Sequence, residues 1–371
     1  MNYKETLFFI AKCLTISLEE KNRDEIELML KTMDIDWDAV VKVSTAHYVF
    51  PALYCNIKRA DFLQYLPQEL VSYMEYITNV NRERNKKIIA QAKDLNMLLL
   101  ANNITPLFLK GTGNILAGLY EDIGERMVGD IDFIFSKEDY PKVIKILREF
   151  GYTDNAELKY INHRSDLRHY RRIQKEKNIS CVEIHSELIL NKYVNEFNYN
   201  IVNKDCLVVD GFAILSYENK LKLSIVAHQI NDSGFRLKVI SLRNAYDVFL
   251  LSKKTNAMIA VNTLDKLSHS LNCFLAACYE IFNRVASLEP NNTINTSAYL
   301  IAFNSQFSNS SRVRRRFRRR FCIIKTYRYV GSNIINIYRN FLYKDFIFYF
   351  FKRLTDKNWY KEKGVQFGIK K

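Results

Sequence analysis

Turn-forming residues are scarce: the 371-residue chain has 5 Pro and 11 Gly. That shortage, beside many Leu, Ile and Lys, disfavours an all-β architecture and favours helix. Cysteine is present without pattern. Cys13, Cys55, Cys181, Cys206, Cys273, Cys278 and Cys322 form no CxxC pair and no Cys/His zinc spacing. An odd number of thiols with apolar neighbours fits reduced, mostly core cysteines of a cytosolic protein, not a disulfide scaffold. Long apolar runs are missing too, since none reaches the roughly 18 residues that span a bilayer. The patch from Leu7 to Ile10 follows Glu5 and is interrupted by Lys12. It reads as one face of a helix and not as a signal peptide.

Charge is unevenly placed. The net charge is +15, yet from Arg312 to Lys371 there are 18 Lys and Arg against 3 Asp and Glu, leaving 37 of each sign elsewhere. The body is therefore neutral, and the high pI is no argument for nucleic-acid binding by the whole chain. With 48% hydrophobic and 26% charged residues, the composition is that of a folded protein with room for two or three domains.

Four regions follow from the patterning. Residues 1–95 read as helices, with apolar residues at helical spacing around Ile26–Leu30 and Val40–Val43 and Asp36 as an N-cap before Trp37. A longer helix is expected from about Pro67 to Asn102. Residues 96–215 change texture. "ITPLFLKG" reads as a buried strand ending in a turn, "TGNILAGLY" as a helix, and "VGDIDFIF" as a second strand. "KEDYPKVIKILREFGY" is an amphipathic helix closed by Gly151, and "ISCVEIHSEL" is a third strand. Residues 216–305 read as helical again, and 306–371 as a basic, aromatic-rich tail. The expected class is α+β: a small mixed-sheet core flanked by helical regions.

One constellation could carry chemistry. Residues two apart on a strand face the same way, so Asp130 and Asp132 can grip a shared metal site, and Glu183 can join them from another strand. Side-by-side carboxylates are costly without a cation, and Mg²⁺ takes oxygen ligands of this kind. Gly111, Thr112 and Gly113 follow the first strand and open a helix, a context in which backbone N–H groups cradle phosphate. Lys110 and Arg126 are cations near enough to neutralise it. Each piece alone is commonplace: D-x-D pairs occur by chance, Glu183 could be the polar face of an edge strand, and Lys110 a solvated strand end.

In this order, however, "LKGTGNILAGLY", "ERMVGDIDFIF" and "CVEIHSEL" resemble the uncharacterised bacterial nucleotidyltransferase family of the polymerase-β-like superfamily. "IDWDAVVKVSTAHYVFPALY" and "VAHQIN…LRNAYDVFLL" resemble its flanking helical segments, so the likeness covers roughly residues 24 to 255. The resemblance implies Asp130, Asp132 and Glu183 as catalytic metal ligands, with Gly111-Thr112, Lys110 and Arg126 around the nucleotide. It implies Mg²⁺ or Mn²⁺, an NTP substrate (ATP foremost), and transfer of a nucleoside monophosphate to a hydroxyl acceptor, for example in surface polysaccharide or other cell-envelope biosynthesis. Two departures bear on this: the gap from Thr112 to Asp130 is longer than is usual in the superfamily, and the third carboxylate is Glu where Asp is usual. Two other readings remain open, a D-x-D glycosyltransferase and a catalytically degenerate nucleotide-binding or interaction module.

Further polar residues have both structural and functional readings. His185 shares a face with Glu183, and His228 and Asp247 lie on helices. His163, Arg168, His169, Arg171 and Arg172 cluster in a basic stretch that is either a phosphate- or acceptor-binding segment or a solvated loop. In the tail, seven Arg fall between positions 312 and 320, followed by an aromatic-rich amphipathic segment. That combination suits an anionic membrane surface or a protein partner, and nucleic acid less well. The chain is expected to be cytoplasmic, with peripheral attachment at the inner face of the membrane.

Overall fold

The computed structural model describes residues 1–154 and 168–340. His163 and the end of the tail, 341–371, lie outside the described residues.

Five helices open the chain: α1 (Tyr3–Cys13), α2 (Glu20–Thr32), α3 (Trp37–Ala46), α4 (Phe50–Arg59) and α5 (Gln68–Leu100). Asn2 and Glu5 form a capping box on α1, and Asp36 caps α3 by accepting from the Ala39 N–H. The 33-residue α5 turns Met74, Thr78, Asn81, Asn85, Ile88, Ala92, Leu95 and Leu99 inward at steps of three and four. Two of these are polar for a reason. Asn81 donates to the Gly124 and Arg126 carbonyls, and Asn85 to the Ile123 and Arg126 carbonyls. This helix therefore fixes the loop that leads into the second strand.

The central region contains β1 (Leu107–Phe108), α6 (Lys110–Leu116), β2 (Asp130–Ile134), α7 (Tyr140–Glu149), β3 (Thr153–Asp154), β4 (Ile173–Gln174), β5 (Cys181–His185), α8 (Tyr199–Val202), β6 (Leu207–Val209) and β7 (Phe212–Ile214). Among the described residues the strands form one mixed sheet in the order β3-β4-β5-β2-β1-β7-β6. β2 pairs parallel with β5 and antiparallel with β1, and β1 pairs parallel with β7. The three expected strands are present, the first reduced to two residues. Four further short strands were not apparent from the sequence. β6 and β7 form a hairpin whose turn, Asp210-Gly211, has φ of 49° and 81°, the positive values that a tight two-residue turn demands. Gly113 is required for closeness of packing. A Cβ there would lie 2.6 Å from the Phe108 carbonyl oxygen, so only glycine lets α6 approach β1 this closely.

The remaining helices are α9 (Tyr217–Val226), which runs into a π-helical turn over Ala227–Asn231, then α10 (Gly234–Leu237), α11 (Leu242–Ser252), α12 (Ala257–Asn262), α13 (Ser268–Ile281), α14 (Ile294–Asn304) and α15 (Ser311–Asn340). Ile131, Phe133, Val182 and Ile184 are fully buried and send one side of β2 and β5 into a core continuous with both helical regions. The opposite side of the same two strands carries the polar residues.

Candidate active site

Strand alternation builds the site. The parallel register sets Asp132 directly against Glu183, Asp130 against Cys181 and Ile134 against His185. Asp130, Asp132, Glu183 and His185 consequently project from one face. Asp132 and Glu183 are only 6% and 5% exposed, so their charges need partners. Two cations supply them. Lys110 Nζ donates to Asp132 Oδ1 at 2.6 Å and to Glu183 Oε2 at 3.4 Å. Arg172 Nε donates to Glu183 Oε1 at 2.7 Å, while its Nη2 lies 2.9 Å from Asp130 Oδ2. His185 Nε2 is 2.9 Å from Asp132 Oδ1 and 3.6 Å from Glu183 Oε2.

These contacts set the electrostatics. Burial pushes the Asp130 carboxyl up to about 6, reinforced by the charge of Glu183 and opposed by Arg172. Burial would raise Glu183 as well, but the His185 ring 3.6 Å away and the charge of Lys110 outweigh it and hold that carboxyl well below the usual range. Lys110 moves up: burial disfavours its charge, and Asp132 and Glu183 more than restore it.

Lys110 reaches the carboxylates because its backbone has a left-handed φ of 49°, which turns the chain sharply out of β1. The Leu109 N–H still donates to the Asp132 carbonyl at 2.9 Å, so the ladder persists to the residue before the turn. Thr112 is buried, and its hydroxyl donates to the Asp130 carbonyl at 3.0 Å, pinning the start of β2. Gly111 lines a cleft of about 330 Å³ whose sheet side is the carboxylate trio. Gly129 lines it as well, and a Cβ there would meet nothing within 4 Å. Arg84 and Ser180 hold the Gly129 carbonyl from two sides.

The far wall of the cleft is helical. Leu223, Ser224 and Ala227 come from α9 and the π-helical turn, and Arg243, Asn244 and Asp247 from α11. Such turns recur at functional sites, because the extra residue displaces side chains that a regular helix would stack. Arg126 crosses from the loop before β2 to this wall, where its Nε and Nη2 grip Asp247 at 3.0 and 2.9 Å. The Tyr120 hydroxyl donates to the same carboxylate at 2.6 Å. Burial alone would lower the Arg126 pKa; Asp247 outweighs it and raises it.

The structure thus brings Lys110, Gly111, Arg126, Asp130, Asp132, Glu183 and Asp247 to one cleft, together with Arg168 and Arg172 of the basic stretch. Arg171 turns elsewhere and pairs with Asp154 at 2.9 Å. His228 is absent from the lining; its Nε2 lies 3.0 Å from the Val239 carbonyl. Arg243 was not singled out from the sequence, and the signal for it was its place one helical turn before Asp247 in "LRNAYD".

The donor set suits a divalent cation. Ligand atoms of Asp132, Glu183 and His185 lie within 4.8 Å of one another. The His185 Nδ1 is buried without a hydrogen-bond partner among the described residues. Carboxylate oxygens suit Mg²⁺ and Mn²⁺. This tight group contains His185 where the sequence alone pointed to Asp130, which stands at its edge under Arg172.

A family model described as an uncharacterised nucleotidyltransferase matches residues 33–283, a span that includes the whole sheet and every residue lining the cleft. No curated protein and no solved structure matches the chain.

Proposed function

Since the chain belongs to this uncharacterised nucleotidyltransferase family, we propose that its cleft moves a nucleoside monophosphate from an NTP, ATP foremost, to a hydroxyl acceptor. The acceptor oxygen bonds to the α-phosphorus, the bond from that phosphorus to the β-phosphate bridging oxygen breaks, and pyrophosphate leaves. Glu183, directly opposite Asp132 and joined to Asp130 through Arg172, would take the hydroxyl proton once Lys110 turns to phosphate and no longer holds its carboxyl low. Asp132 and Glu183, with Asp130 and His185 beside them, would hold Mg²⁺ or Mn²⁺, which would neutralise charge on the reacting phosphate. Gly129 leaves backbone open to the nucleotide, and Lys110 and Arg172 offer cations able to turn from carboxylate to phosphate.

The observation that carries this reading is the register pairing of Asp132 with Glu183 beside Asp130 on one sheet face. The acceptor is proposed to be a small metabolite or a precursor in surface-polysaccharide or other cell-envelope biosynthesis. Helix α15 is proposed to hold the enzyme at an anionic membrane surface. The activity is tested by incubating the purified protein with α-labelled NTPs, Mg²⁺ or Mn²⁺ and cell extract. The label should appear on a new product as pyrophosphate is released. Transfer from labelled nucleotide-sugars, with none from NTPs, would replace the proposal with a glycosyltransferase.

A further inference from the structure

The helical wall of the cleft contains a cation that the carboxylate chemistry does not use. Arg243 lies in the first turn of α11, where aligned peptide dipoles already place partial positive charge. No acidic residue occupies that turn to offset it. The neighbouring cation, Arg126, is matched by Asp247, whose oxygens are gripped by Arg126 and Tyr120. Asp232, just past the π-helical turn, lines the same wall and offsets part of the remaining charge. Arg243 Nε is nevertheless buried without a hydrogen-bond partner among the described residues, and the guanidinium packs over the Tyr48 ring at 5.0 Å. Burial, and then Arg126, lower its pKa, opposed by the charges of Asp247 and Asp232.

On the sheet side the cations Lys110 and Arg172 are already engaged by Asp130, Asp132 and Glu183. The helical side balances Arg126 and Arg243 against Asp232 and Asp247, and Arg243 supplies it with a planar donor fork of the kind that binds phosphate oxygens in pairs. We propose that Arg243, at the start of α11, forms an anion subsite that takes the β- and γ-phosphates of the NTP, the end that departs as pyrophosphate. This rests on the nucleotidyltransferase reading and assigns the orientation of its substrate: α-phosphate toward Asp132 and Glu183, polyphosphate end toward α11. Arg243 touches the leaving group, so it serves both binding and departure.

The test is isothermal titration of the full-length protein with inorganic tripolyphosphate and with ATP, both without divalent cation. Wild type should bind tripolyphosphate. Arg243→Gln should weaken that binding at least tenfold, and Arg243→Lys should restore part of it. Should Arg243→Gln unfold, phenylglyoxal labelling of wild type reads the same contact, with tripolyphosphate protecting the Arg243 peptide from modification. Equal tripolyphosphate affinity in wild type and a folded Arg243→Gln, or no protection, overturns the subsite. Failure of the two readings is separable. Arg243-dependent tripolyphosphate binding with no nucleotidyl transfer would leave the subsite standing and sink the activity. Transfer with no contribution from Arg243 would do the reverse.

Discussion

At the scale of single residues, the site is a problem of charge matching. Three carboxylates on one face of two strands are tolerated because Lys110 and Arg172 each span two of them. Glu183 is the hub, touched by Lys110, Arg172 and His185. Glu183→Gln keeps the shape and one acceptor oxygen while removing the charge. It should lower nucleotidyl transfer by at least about 10²-fold, the scale of a lost proton acceptor, with the circular dichroism spectrum unchanged. Wild-type turnover in a folded Glu183→Gln protein would move the third carboxylate elsewhere. Asp130, Asp132 and Glu183 could be found in the sequence because the period of two along a strand assigns faces without knowledge of neighbours. Arg172 and Lys110 could be noticed but not placed. Their positions depend on a long side chain crossing from the residue before β4 and on a left-handed backbone turn at Lys110, neither of which leaves a period to read.

Among elements, the long ones announced themselves and the short ones did not. The α5 helix was legible nearly to its ends, since 33 residues of amphipathic spacing leave little ambiguity. Strands of two residues, such as β3 and β4, are too short for any alternation. The β6–β7 hairpin could have been found, because Asp-Gly between "CLVV" and "FAIL" is the composition of a two-residue turn. Element α11 shows how the helical wall is kept in place: the Leu242 N–H at its first turn donates to His47 Nδ1 at 3.2 Å. Only a ring lacking a proton on Nδ1 can accept that bond. Burial, and then the nearby His228, lower the His47 pKa from 6.5 to about 4. The unfolded chain therefore binds a proton at a pH where the folded chain does not. The stabilisation is present above about 6.5 and is lost as pH falls from there to about 4. Thermal melts should show wild type losing stability across that window, and His47→Gln should lessen the loss. An identical pH dependence in the two proteins would dissociate His47 from α11.

For the whole molecule, the division between a neutral body and a basic end is the widest feature. No described helix is long and apolar enough to cross a membrane. Helix α15 packs against α10 and the turn at Ser305–Phe307, and along it Arg316, Arg320, Ile323 and Tyr327 follow one another at helical steps on the exposed side. Ile323 and Tyr327 are 68% and 78% exposed, an arrangement suited to a surface carrying both anionic groups and an apolar layer. Each basic residue close to an anionic bilayer contributes about 1 kcal/mol. Replacing Arg316, Arg319 and Arg320 with Gln should therefore weaken co-sedimentation with phosphatidylserine vesicles roughly a hundredfold, and salt should weaken the wild type. Equal partitioning of both proteins would remove the membrane proposal. The charge division was plain in the sequence, whereas the cleft was not, because its two walls come from segments far apart along the chain. In that cleft the carboxylate face is proposed to hold a divalent cation against a nucleotide. The most direct measurement is anomalous diffraction from crystals soaked with Mn²⁺ and a non-hydrolysable ATP analogue. A manganese peak is expected between Asp132 and Glu183 with the α-phosphate beside it. Absence of manganese from that face, with the nucleotide bound elsewhere, would contradict it.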